Sequence, residues 1–227
     1  MATSITVSTV FLSLVTGIIP PLFWLWFWMR EDSVNPEPRN TIVATFIAGM
    51  FAIFPTFIVQ QLISKVISYD YSLLILWPLT EEIAKYLSAY IVALRSKEYD
   101  EPMDAVIYLI TAALGFSAAE NFFFLVKPEF SLLSIITANM RFIGATNLHL
   151  FASAIVGVFL AFSFYKNKKI KTINLILGLL TATTLHSMFN LFIIRNKGEN
   201  ILIVFAILWL FTVGLLLVCE KIKNIKK

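Results

Sequence analysis

Six ionisable side chains fall within stretches of this sequence that are otherwise apolar enough to cross a membrane. Glu81, Glu82 and Lys85 share one run, and Glu120, His149 and His186 lie in three others. His149 and His186 are the only histidines in the chain. Amides accompany them: Asn121 adjoins Glu120, Asn147 precedes His149 by two residues, and Asn190 follows His186 by four. One charge at mid-bilayer costs at least about 2.5–3.5 kcal/mol, so a chain that needed only an anchor would carry leucine at these places. Carboxylates, imidazoles and amides are the groups of acid–base catalysis. One carboxylate takes a proton from water, another group delivers it to a leaving amine, and imidazole and amide donors hold the developing oxyanion. Two carboxylates side by side in a low dielectric resist ionising together. Lys85, one helical turn after Glu81, can pair with it and so set the two glutamates apart. The same oxygens and nitrogens can ligate a divalent metal such as zinc, although Glu-Glu-x-x-Lys is not the two-histidine helical zinc motif.

The elements that must position these groups are membrane helices. The chain is 59% hydrophobic and 14% charged, against roughly 25% charged in a soluble domain, and its mean hydropathy is +0.82. These values predict an all-α fold, a polytopic transmembrane helical bundle forming a single integral membrane domain over residues 1–227. By apolar length the spans are 4–29, 41–64, 71–94, 104–126, 142–165, 170–194 and 201–219, seven in all. Residues 131–140 are apolar but too short to cross alone; they read as a short re-entrant or interfacial helix, or as the start of a long fifth span. The net charge of +4 is loop charge that sets orientation and excludes nucleic acid as a partner; the lipid bilayer is the partner implied. Twelve Lys and Arg residues fall in the connections after the first, third and fifth spans and in the C-terminal tail, and five on the side of the N-terminus. The positive-inside rule then predicts a multi-pass protein of the cell (plasma) membrane, N-terminus outside and C-terminus cytoplasmic. The first run ends in an aromatic belt, Trp24 to Met29, followed by Arg30, which suits a retained helix rather than a cleaved signal.

Depth links the six groups. At ~1.5 Å per helical residue, Glu81, Glu120, His149 and His186 lie about 15, 9, 10 and 12 Å from the face on which the N-terminus lies. Helices running in alternating directions thus place their polar groups in one layer. The bland readings are a buried ion pair at Glu81/Glu82/Lys85, interhelical hydrogen bonds at Glu120–Asn121 and Asn190, and packed histidines. Asn147 and Cys219 read as structural, Phe122–Phe124 as lipid-facing, and Gly115 as a point of close helix approach. The same intramembrane groups also suit a proton-coupled transporter or channel, or a non-catalytic binding or immunity-type membrane protein. Against transport, no internal repeat is visible.

Glu81-Glu82-x-x-Lys85, then Phe116-Ser-Ala-Ala-Glu120-Asn121, then His149 and His186, resembles the PrsW family of intramembrane proteases. That family is distantly related to the CAAX-prenyl endopeptidases and bacteriocin-immunity membrane proteins. Asp32 with Pro36-Glu37-Pro38 is similar to its Asp…Pro-Glu-Pro segment, Asp104 to Tyr108 to its Asp-x-x-x-Tyr stretch, and Arg141 ahead of His149 also fits. The resemblance spans Pro20 to Asn190. It implies hydrolysis of peptide bonds in a membrane-anchored protein substrate, such as the first cut in an anti-sigma factor, by a glutamic-type or metal-dependent peptidase. It implies Glu81, Glu82, Glu120, His149 and His186 as catalytic residues and Lys85, Asn121 and Asn190 as their supports. If a divalent metal such as zinc is required, Glu120, His149 and His186 are the implied ligands.

Overall fold

The computed structural model describes residues 5–32, 35–67, 71–126, 136, 138–195 and 201–225. They are helical almost throughout. The helices are α1 (Val7–Glu31), α2 (Arg39–Phe51), α3 (Ile53–Val66), α4 (Tyr71–Ala89), α5 (Pro102–Leu125), α6 (Thr146–Phe162), α7 (Lys168–Arg195) and α8 (Ile201–Ile222). A π-helical turn, Tyr90–Leu94, continues α4, and another, Arg141–Ala145, leads into α6. α2 and α3 are one membrane-length rod broken at Ala52. Pro55 follows in the first turn of α3, where its missing N–H cannot continue the ladder back to Phe51.

Among the described residues, six helical rods are long and apolar enough to cross a membrane: Val7–Glu31, Arg39–Val66, Pro102–Leu125, Ala138–Phe162, Lys168–Ile193 and Leu202–Ile222. α4 with its π turn has similar length but carries Glu81, Glu82 and Lys85, the charges that set it apart. The seven expected spans are therefore all present as helices. The fifth begins earlier than position 142, because residues 138–140 are already helical. Of the segment 131–140, residues 131–135 and 137 lie outside the described residues, so the choice between a re-entrant and an interfacial piece rests there.

α5 is the centre of the bundle. The apolar window of Pro102–Leu125 is 100% buried, against 22% in Lys168–Ile193. It packs most extensively on α6, α2 and α1, and among its buried residues Ala112, Ala113, Gly115, Ser117, Ala118 and Ala119 are small enough to let helix backbones approach. Gly49 on α2 and Gly115 on α5 face each other's helix: a Cβ on Gly115 would overlap the Phe46 carbonyl, and one on Gly49 the Ala112 carbonyl. Backbone cannot step aside as a side chain can. Gly115→Val is therefore expected to destabilise the fold by at least about 1–3 kcal/mol, the usual cost of overpacking, read as a lower midpoint of thermal unfolding in detergent. Outer helices show apolar faces instead, as at Phe57, Leu180 and Leu210. The expected belt at the end of α1 is only partly a belt. Trp24 and Trp28 are buried in the core, and Trp26 alone of the three faces outward, under the guanidinium of Arg30. Cys219 is buried and free.

The two ends of α5 carry different clusters. Glu120 and Asn121 stand near its C-terminus; Asp104 and Tyr108 stand near its start, sixteen residues or about 24 Å away. There Asp104 Oδ2 accepts hydrogen bonds from the backbone N–H groups of Asp100 (2.8 Å) and Glu101 (2.7 Å). Tyr108 donates its hydroxyl proton to Glu37. The Pro-Glu-Pro and Asp-x-x-x-Tyr segments thus meet at this end.

Candidate active site

α4 supplies Glu81, Glu82 and Lys85 on successive faces, since neighbours on a helix point about 100° apart. The lysine was expected to pair with Glu81. It pairs with Glu82 instead, Nζ to Oε1 at 2.6 Å, with both side chains fully buried. Spacings of three and four residues both permit a pair; the tertiary partners decide. Lys85 Nζ also lies 2.8 Å from Nδ1 of His149 on α6, and Glu82 is further held by Ser153 (3.3 Å) and by Nδ1 of His186 on α7 (2.8 Å).

Tautomers follow from this chain. An ammonium only donates, so His149 Nδ1 accepts from Lys85 and its proton sits on Nε2, 2.9 Å from Glu120 Oε2. Glu82 only accepts, so His186 carries a proton on Nδ1, and in the neutral ring its Nε2 is a lone pair. That lone pair lies 3.7 Å from Glu81 Oε2. Glu81 Oε1 accepts from Gln60 on α3 at 3.0 Å, but its Oε2 is buried with no hydrogen-bond partner among the described residues.

Glu120 is anchored from the other side by Arg141 in the π turn before α6, which bonds it through Nη2. Arg141 Nε donates to Asn121 Oδ1 at 2.6 Å, Asn121 donates to Thr146 at 3.1 Å, and the guanidinium lies 4.0 Å over the ring of Phe124. Phe123 and Phe124 are both half exposed, as expected of lipid-facing residues, and the ring of Phe124 is in addition a platform for Arg141. The imidazoles of His149 and His186 meet edge to face at 5.1 Å.

All this borders a cavity of about 650 Å³. Glu81, Glu120, His149 and His186 form its polar part, Asn190 joins them, and Leu73, Trp77, Phe189 and Phe205 supply apolar wall. Every expected catalytic residue is brought to this one place, with Glu82 and Lys85 behind the cavity lining. Asn147 is elsewhere, accepting from Thr212 at 3.0 Å. Arg141, Gln60, Ser153 and Thr146 were not among the expected site residues. Arg141 alone left a signal, its position ahead of His149.

A carboxylate oxygen and two imidazole nitrogens is the donor set of many catalytic zinc sites. Among the described residues, the group whose ligand atoms lie within 4.8 Å of one another is Glu81, His149 and His186. This differs from the expected set, Glu120 with the same histidines, because Arg141 and His149 already engage Glu120. The unpartnered oxygen of Glu81 and the bare Nε2 of His186 fit a cation. His149 fits once its ring proton sits on Nδ1 instead of Nε2, which requires Lys85 to give up the proton it donates there, so binding must release one proton.

The sequence pattern of the PrsW family intramembrane metalloprotease matches residues 37–217. The chain is 28% identical over 207 residues to a protein named Protease PrsW from Oceanobacillus iheyensis, covering 87% of this chain and 91% of that one. It is 24% identical over 208 residues to the protein of that name from Clostridioides difficile, covering 88% and 87%. With the Bacillus subtilis protein of that name it shares 23% over 177 residues, covering 77% and 79%. No solved structure matches the chain.

Proposed function

We propose, from the premise that the chain belongs to the PrsW family of intramembrane metalloproteases, that the cavity between α4, α5, α6 and α7 hydrolyses a peptide bond of a single-span membrane protein, as in the first cleavage of an anti-sigma factor. The protein is an integral membrane peptidase. The observation that carries the reading of the site is the pair of ligand atoms Glu81 Oε2, without a hydrogen-bond partner among the described residues, and His186 Nε2, a lone pair in the neutral ring, facing each other at 3.7 Å on the cavity. The orientation that goes with it is the one the basic loops favour, N-terminus outside, in the cell membrane.

The chain's own groups divide the work. Glu82 does not line the cavity; it holds Lys85 and His186 in place, and so fixes the tautomers of both histidines. Arg141 and His149 fix Glu120, whose carboxylate faces the cavity. In this reading Glu120 takes the proton of an attacking water and returns it to the leaving nitrogen. Asn190, also on the cavity, is the amide donor for the scissile carbonyl oxygen. The apolar wall receives the residues that flank the scissile bond. A divalent metal such as zinc, held by Glu81, His149 and His186, would supply Lewis acidity for the water and the carbonyl, and Arg141 would then hold Glu120 in place of His149 Nε2; the alternative with Glu120 as its carboxylate uses the same two histidines.

The test uses the purified full chain in lipid nanodiscs with a single-span substrate carrying a fluorophore pair. Dialysis against a chelator is expected to abolish cleavage, and stoichiometric zinc to restore it. Cleavage that persists in metal-free protein would instead assign water activation to Glu81 and Glu120 alone.

A further inference from the structure

The Asp32, Glu37 and Asp104 segments take no part in the site above, and they stand at the other end of α5. Eight of the chain's fourteen carboxylates fall there: in the stretch from Glu31 to Glu37, in the stretch from Glu98 to Asp104, and at Glu220. One of them is badly placed for an anion. Asp32 caps the C-terminus of α1, its N–H bonding the Trp28 carbonyl, where the helix dipole is negative and favours cations. It is only 4% exposed, and its Oδ2 has no hydrogen-bond partner among the described residues. It lines a cavity of about 170 Å³ together with Asn35, Glu101 and Lys223.

The lysine does not neutralise it. Lys223 Nζ is engaged by Glu31 at 2.8 Å and Glu220 at 2.7 Å. Glu101 is engaged by Asn35 through a neutral amide, Nδ2 to Oε2 at 3.1 Å. Among the described residues, two carboxylates thus share a small cleft with no cation committed to them. Burial first, then the charges of Glu101 and Asp104, push the Asp32 carboxyl up to about 7, against the opposing charge of Lys223.

We propose that this cleft binds a hydrated divalent cation of the hard, oxygen-seeking class, with Asp32 and Glu101 as its carboxylates and Asn35 beside them. Oxygen-only donors select magnesium or calcium over the softer metals that suit imidazole. Among the described residues, three acidic or imidazole donors come within ligating reach of one another only in the catalytic cluster. The cleft therefore suits an ion that keeps most of its water and uses one or two carboxylates, as magnesium does. At ~30 Å³ per water, its volume has room for the ion and several waters. The ion would join the end of α1, the loop after it and the start of α5, fixing the central helix whose far end carries Glu120.

The experiment reads thermal unfolding of the full chain by tryptophan fluorescence, with MgCl2 titrated against NaCl at matched ionic strength. It is done in a Glu81→Gln background, so that the catalytic cluster lacks its carboxylate donor. A saturable rise of roughly 2–4 °C is expected with magnesium and not with sodium. Asp32→Asn and Glu101→Gln should each remove the saturable part; if Asp32→Asn does not fold, Glu101→Gln decides alone. A rise that survives in these variants, or magnesium no better than sodium up to roughly 10 mM, overturns the proposal.

Discussion

Glu81→Gln is expected to lower the single-turnover rate of substrate cleavage by about 10²–10⁴-fold while shifting the unfolding midpoint little. The two effects separate because of how Glu81 is held. Its Oε1 accepts from Gln60, and a glutamine oxygen can accept the same bond. Its Oε2 has no hydrogen-bond partner to lose among the described residues. The substitution therefore removes a charge and an oxygen that only a water or a cation uses. Glu82→Gln is the instructive contrast. Glu82 is bonded by Lys85, His186 and Ser153, so its neutralisation leaves a buried ammonium unpaired and should lower stability as well as rate. Measuring cleavage and unfolding on the same preparations distinguishes the two. Wild-type cleavage by folded Glu81→Gln would remove Glu81 from the chemistry and with it the reading of the cavity given above.

Much of this was legible before any coordinates, for a physical reason. Charged groups in apolar runs are so costly that each marks a place where something compensates, and counting residues along alternating helices is enough to find that the places coincide. Glu81, Glu82, Glu120, His149 and His186 are brought together in the structure as that count implies. What was not legible is which group bonds which. Lys85 is three residues from Glu82 and four from Glu81, and spacing alone permits both pairs; His149, sixty-four positions away, settles it for Glu82. Arg141 reads as a loop charge when the fifth span is started at 142. In the structure the helix begins by residue 138, which carries Arg141 into the rod and onto Glu120. Gln60 bears no charge and sits in an apolar run, so no cost marks it; only the approach of α3 to α4 reveals its bond to Glu81. Trp24 and Trp28 were misread for the opposite reason: tryptophan suits a membrane interface and a packed core equally, and composition cannot choose.

Lys85→Met tests the centre of the network. Its ammonium is fully buried, 2.6 Å from Glu82 and 2.8 Å from His149 Nδ1. Removing one partner of a buried pair costs about 3–5 kcal/mol, because the other charge is stranded. At about 2–4 °C per kcal/mol for a chain of this size, the midpoint should fall by roughly 6–20 °C. Replacing both partners at once is often near neutral, so Glu82→Gln with Lys85→Met should recover most of that loss. Activity should not recover with it. Without the lysine nothing obliges His149 Nδ1 to accept, so the proton is free to leave Nε2, and Glu120 loses the N–H that orients it. Without the Glu82 carboxylate, His186 loses the acceptor that keeps its own proton on Nδ1. A stable double variant that cleaves slowly, with an altered pH profile, is the result that a proton-ordering role demands. A double variant that is both stable and fully active would show that Lys85 and Glu82 only hold the helices together.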